Sequence, residues 1–128
     1  MPDGPEVDVI GDALPQERVR DLVTLALASA GVQDGHLAVE FVDGGRISEL
    51  NAEHRGKTGP TDVLSFPIDE AGTAHGPREL GDVLICPEHT EDLEEAVVHG
   101  VLHLTGMDHE TDDGEMLTLQ AEILGWMR

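Results

Sequence analysis

Flat rings and lysine are what this chain has least of. Among 128 residues there is no tyrosine, and there are two phenylalanines and one tryptophan, so the core has to be built from Val, Leu, Ile and Ala. A single cysteine, Cys86, excludes an intramolecular disulfide and fits a reducing interior. No apolar run approaches the ~20 residues of a membrane span, so no membrane partner is expected. The opening MPDGPEVDVI lacks the basic and then apolar signature of a signal peptide, which makes the cytoplasm the expected compartment. At this length one domain, residues 1–128, is expected.

What the chain has in excess is acid: 27 acidic residues against 7 basic ones, a net charge of −20. Such a surface repels phosphate backbones at long range and argues against a basic protein that coats nucleic acid. It leaves room for a nucleic-acid enzyme with a local basic patch. Lys57 as the only lysine beside so many acids is also consistent with a saline cytoplasm, where screening makes the surface tolerable.

The hydrophobic pattern alternates between periods. EVDVI (6–10) and HLAVEFV (36–42) read as strands, as do DVLSF (62–66) and LGDVLIC (80–86). The apolar run of the last predicts a central strand. Helical spacing predicts helices over 15–30, with Gly31 as C-cap, and over 46–54. Two more are expected from about Glu88 or Thr90 to Thr105, and from about Asp112 to Met127, where Asp112 and Glu115 have capping-box spacing. The stretch 69–78 reads as an exposed loop. The fold class expected is α+β, a small mixed sheet packed with helices.

The chemistry is concentrated in HGVLHLTGMDH, residues 99–109. On a helix His99 and His103 lie one turn apart and point the same way, while Leu93, Val97, Val101 and Leu104 form a stripe opposite. Gly106 can turn the chain so that His109 reaches the same point. Any one of these would pass for an ordinary histidine, but three at this spacing around a glycine favour a metal. Three facial nitrogens leave a coordination position open, the arrangement of a catalytic rather than a structural zinc. A structural site would want a fourth ligand, for which Cys86 and Asp108 are the candidates. In zinc peptidases with this spacing a glutamate follows the first histidine and serves as the base. Here that position is Gly100, which disfavours peptide hydrolysis and points to another substrate, such as a phosphodiester.

HGVLHLTGMDH resembles the H-G-x-L-H-L-x-G-Y-D-H signature of the YbeY family of bacterial metal-dependent endoribonucleases. LNAEHRGKTGPTDVLSFP (50–67) and LGDVLIC (80–86) are similar to two further blocks of that family, in the same order. The resemblance implies a zinc held by His99, His103 and His109 near the C-terminus. It places Arg55 in the same cleft, with Arg55 and His99 as the catalytic candidates. It implies cleavage of single-stranded RNA in small-subunit (16S) ribosomal RNA 3′-end maturation and ribosome quality control. The implied partners are the ribosome, a small-subunit ribosomal protein and a ribosome-assembly GTPase. Two departures stand out: Met107 replaces the usual tyrosine or phenylalanine, and the segment between Cys86 and His99 is shorter than usual.

The residues of the second block have their own logic. Arg55 offers a planar, permanently charged fork suited to phosphate, and Lys57 follows two residues on in what reads as a glycine-containing loop. Pairing of Arg55 with one of the many acids is the competing reading. Asp62, Ser65 and Asp82 read first as structural, Asp108 as a candidate for outer contact with a ligand or for proton transfer, and His54 and His89 as surface histidines. Two other functions compete with the ribonuclease: a metallopeptidase or other amide hydrolase, and a non-catalytic ribosome-assembly factor with a structural metal.

Overall fold

The computed structural model describes residues 5–56, 59, 61–67 and 79–128, with the side chain of Arg55 also outside the described set. Four strands, β1 (Glu6–Ile10), β2 (His36–Phe41), β3 (Val63–Pro67) and β4 (Glu79–Ile85), form one sheet in the order β1-β2-β4-β3. β1, β2 and β4 run parallel, and β3 is antiparallel to β4. The expected mixed sheet is present, and LGDVLI is a central strand. Its side chains are buried on both faces, as a strand covered by helices on two sides requires.

Helices α1 (Gln16–Ser29), α3 (Leu93–Leu104) and α4 (Glu115–Met127) cover one face. Val19, Leu22, Val23 and Leu27 of α1 are fully buried there with Leu37, Val39, Val83 and Ile85 of the sheet and Val97 and Val101 of α3. Each such side chain contributes roughly 1.5–3 kcal/mol by leaving water. Helix α2 (Gly44–Arg55) covers the other face, where Ile47 and Leu50 meet Leu64, Leu84 and Cys86. Among the described residues no helix is long and apolar enough to cross a membrane.

Four helix boundaries differ from those expected. Helix α2 starts at Gly44 rather than residue 46, because Asp43 of the DGG turn caps it by accepting from Arg46 N (2.8 Å). It also ends on Arg55, with Gly56 as its left-handed cap, so Arg55 closes a helix rather than opening a loop. Helix α3 starts at Leu93 rather than at 88–90. Pro87–His89 form a 3₁₀ turn, Thr90 is extended with its hydroxyl on Cys86 O (2.7 Å), and Asp92 is the N-cap. The segment between Cys86 and His99 is therefore one 3₁₀ turn and a capped helix start. Helix α4 starts at Glu115 rather than Asp112, and the expected capping box does not form: Gly114 is the N-cap, Glu115 accepts from Asp113 N (3.1 Å), and Asp112 accepts from Met116 N (2.9 Å). Lys57 and the expected loop 69–78 lie outside the described residues.

Candidate metal centre

Helix α3 lies on the sheet with Ala96, Val97, Val98, Gly100, Val101, Leu102 and Leu104 buried, so its two imidazoles occupy the one stripe left open. The helix stops where the sequence predicts. Gly106, at φ 100°, donates to His103 O (3.0 Å), and Met107 N donates back to Leu102 O (3.2 Å). This pair of bonds is the Schellman arrangement, which needs a residue in the left-handed region after the cap. The reversal brings His109 over the helix. The ring centroids of His99, His103 and His109 are 4.7, 5.0 and 5.3 Å apart, and one nitrogen from each can be chosen so that all lie within 4.8 Å of one another.

Two of the rings are fixed from behind. His103 Nδ1 donates to the carbonyl of Met107 (3.0 Å), which, as a pure acceptor, leaves the Nε2 lone pair free. His99 Nδ1 donates to Oε1 of Gln120 (2.8 Å), with the same consequence. Gln120 belongs to α4 and is only 8% exposed. The sequence reading missed it. The signal was a polar residue within the buried stripe Met116, Ile123 and Leu124, but its partner is 21 residues away. Burial first, and then the neighbouring His99, hold the His103 imidazole below its ordinary value against the pull of the Met107 carbonyl. A neutral imidazole is the form that binds metals.

The group fits a cation. Three imidazoles converge, two with their donor nitrogens already committed, and Nδ1 of His109 is buried without a hydrogen-bond partner. Neither proposed fourth ligand joins them. Cys86 is buried in the small cluster on the far face of the sheet, and Asp108 is exposed, with its carboxylate on Glu110 N. Among the described residues the group consists of three histidines.

The site is open on two sides. A cleft of 760 Å³ contains all three histidines together with His54, Phe66 and Met107. A second, of 510 Å³, meets it at His99, Asp62 and Val63 and is bordered by Glu91, Asp92 and Glu95. His54 and His89 are exposed, as expected, and each lines one of the clefts. Asp62 caps the start of β3 by accepting from Val63 N (2.9 Å), and Ser65 donates to Gly100 O (3.0 Å), so both are structural as read. Asp82 sits in β4 opposite Phe66. Met107 packs its side chain against the main core and serves His103 through its carbonyl, a service that any residue there would give.

Gly100 has a packing reason as well as a chemical one. A Cβ built on it would lie 2.4 Å from Cγ1 of Val83 and 3.3 Å from the Ser65 hydroxyl. No side chain fits between α3 and the sheet here, and a carboxylate at this position would enter the β3–β4 layer.

No arginine among the described side chains lines either cleft. Arg18 binds Glu94, Arg128 binds Asp92 and Glu94, Arg46 pairs with Glu49, and Arg20 reaches the carbonyl of Val7. His54, which lines the larger cleft, immediately precedes Arg55, whose side chain is outside the described set.

Comparison with known proteins gives the chain a family. The chain matches the family model described as Endoribonuclease YbeY over residues 8–128. It is 42% identical to Endoribonuclease YbeY of Bacillus cytotoxicus, over 84% of this chain and 83% of that one. To the protein of the same name from Rubrobacter xylanophilus it is 40% identical, over 92% and 89%. The solution structure of TM1509 from Thermotoga maritima superposes with a TM-score of 0.58 at 28% identity, covering 94% of this chain and 88% of that one. A match across nearly the whole chain, joined to three histidines that meet at a helix end, makes this sequence a member of the endoribonuclease YbeY family.

Proposed function

We propose that this chain is a zinc-dependent endoribonuclease that cuts single-stranded RNA, with His99, His103 and His109 as the metal ligands. The observation that carries the reading is the convergence of three imidazoles, two held by Gln120 and Met107, on the floor of an open cleft in a chain of this family. Zinc there supplies a Lewis acid for phosphodiester cleavage. The chain's own residues do the rest. Gln120 and the Met107 carbonyl hold Nδ1–H of two ligands, so that each ring presents Nε2 in one fixed direction. Arg55, at the end of α2 beside the cleft residue His54, is assigned to the phosphate, whose developing charge its planar fork matches. Its being the residue after His54, together with the engagement of the other described arginines elsewhere, supports that assignment. His99, the one histidine of the three that lines both clefts, is assigned the position nearest the reacting phosphate.

The substrate in the cell is inferred to be the 3′ end of small-subunit (16S) ribosomal RNA. The ribosome, a small-subunit ribosomal protein and an assembly GTPase are the inferred partners, and the cytoplasm the compartment. Amide hydrolysis is disfavoured by Gly100, where the base of a peptidase would have to displace Val83. The test is Arg55→Ala, assayed on single-stranded RNA at fixed moderate salt, since phosphate contacts weaken as salt rises. Turnover should fall by ~10²–10³ with metal content and melting temperature unchanged, and Arg55→Lys should restore little. Wild-type turnover in metal-loaded Arg55→Ala would remove Arg55 from the mechanism.

A further inference from the structure

We propose that Phe66 and His54 form a stacking site for one base of the substrate strand, and that the strand therefore leaves the metal centre through the 760 Å³ cleft rather than the 510 Å³ one. This rests on the ribonuclease reading above and adds where the RNA lies.

A single strand offers an enzyme two things to hold, its phosphates and the flat faces of its bases. Flat rings are scarce in this chain. Phe41 packs against the main core, and Trp126 is 65% exposed near the end of α4, outside both clefts. Phe66 is the remaining aromatic, and it lines the cleft that contains all three histidines. Phe66 is half-buried against the small cluster on the α2 face, which fixes it, and it borders the cleft from the edge strand β3. The imidazole of His54 stands 4.8 Å from it, centroid to centroid, at 57°. Phe66 belongs to β3, paired with Asp82 of β4, and His54 to the last turn of α2. Both rings therefore sit on regular elements that hold them in place before a ligand arrives.

The two clefts differ in their share of the metal group. The smaller contains one of the three histidines, His99, beside Asp62, Glu91, Asp92 and Glu95, of which Asp92 is paired with Arg128. The larger carries Asp62, Asp108 and Glu110, but the first two each give a carboxylate oxygen to a backbone N–H. It also contains all three converging imidazoles together with His54, a side chain 52% exposed. No flat ring lines the smaller cleft apart from imidazoles, and Met107, the other large apolar residue beside the histidines, has no ring face.

The test uses a short single-stranded RNA and a series of the same oligonucleotide with one abasic nucleotide at successive positions. Binding is read by fluorescence anisotropy and cleavage in parallel, on zinc-loaded wild type, Phe66→Leu and Phe66→Trp. Leucine keeps apolar volume in the small cluster and removes the flat face. Phe66→Leu should weaken binding and raise KM about tenfold or more, the size of one base–aromatic stack, and Phe66→Trp should restore both. One abasic position should impose the same loss on the wild type and none on Phe66→Leu. Equal abasic penalties in the two proteins at every position, or unchanged binding by Phe66→Leu, would overturn the stacking site while leaving a cleaving wild type as a ribonuclease. Phe66-dependent binding without cleavage would sink the ribonuclease reading and keep the site, and a wild type that neither binds nor cleaves would sink both. If Phe66→Leu melts well below the wild type, His54→Ala, at an exposed position, carries the same abasic comparison, with a smaller loss expected at the same nucleotide.

Discussion

Adding one methyl group at Gly100 tests how tightly the metal helix is seated. In Gly100→Ala the new Cβ would stand 2.4 Å from Cγ1 and 3.2 Å from Cγ2 of Val83, and 3.3 Å from the Ser65 hydroxyl. Valine is stiff at χ1 and Val83 is fully buried in a central strand, so the contact is relieved only if α3 lifts from the sheet. Overpacking of this kind costs ~1–3 kcal/mol. Lifting also weakens the bond from Ser65 to Gly100 O, worth about 1 kcal/mol. The better helix propensity of alanine offsets about 1 kcal/mol. The net expectation is a loss of roughly 1–3 kcal/mol, read in thermal melts of the metal-free protein as a fall of roughly 4 °C for each kcal/mol. Val83→Ala removes both clashing atoms, so the double variant should be more stable than the sum of the two single changes by about 1 kcal/mol or more. A Gly100→Ala protein as stable as the wild type, or a cycle additive to within about 0.5 kcal/mol, would refute the packing argument. Gly100→Glu adds more volume at the same point and should gain no peptidase activity.

Two further outcomes follow from contacts around the sheet and the site. Gln120→Leu should keep the fold but bind zinc ~10–100-fold more weakly in chelator competition, because His99 loses the acceptor that fixes its tautomer. Gln120→Glu, which keeps an acceptor, should hold zinc at least as well as the wild type, and equal affinity in all three proteins would leave Gln120 a packing residue only. His36 bridges three strands, with Nε2 on Asp8 and Nδ1 on Glu79, both at 2.7 Å, and these carboxylates, Asp8 first, raise it above its ordinary value. A raised imidazole stabilises the fold fully below the unfolded value of about 6.5, and the effect is lost as pH rises through the folded value. The gap in melting temperature between wild type and His36→Gln should therefore be wider at about pH 6 than at about pH 9, and a gap that is constant or grows with pH would contradict it.

Much of this was legible in the sequence, for a physical reason. Period-two and period-3.6 patterns mark elements that bury one face, and they place all four strands and four helices. Gly31 and Gly106 end α1 and α3 because the chain must turn left-handed there. The histidine spacing is local, one helical turn plus one glycine reversal, so the trio could be found without a fold. What was not legible depends on partners distant in the chain. Gln120 meets His99 from another helix, and Gly100 owes its small size to Val83 and Ser65 of the sheet. The start of α3 was misplaced because the acids at 88–92 fit several registers, and the choice fell to Asp92, which accepts from Glu95 N. The start of α2 at Gly44 falls to Asp43, a residue type that serves in turns after strands as readily as it begins helices.

The central claim is that the three histidines hold a metal without which RNA is not cut. Chelator-stripped protein titrated with zinc, with single-stranded RNA cleavage read at each addition, tests it most directly. The account predicts no cleavage in the stripped protein, a linear rise, and a break at one zinc per chain. Full cleavage by the stripped protein, or a rise with no break at one equivalent, would contradict it.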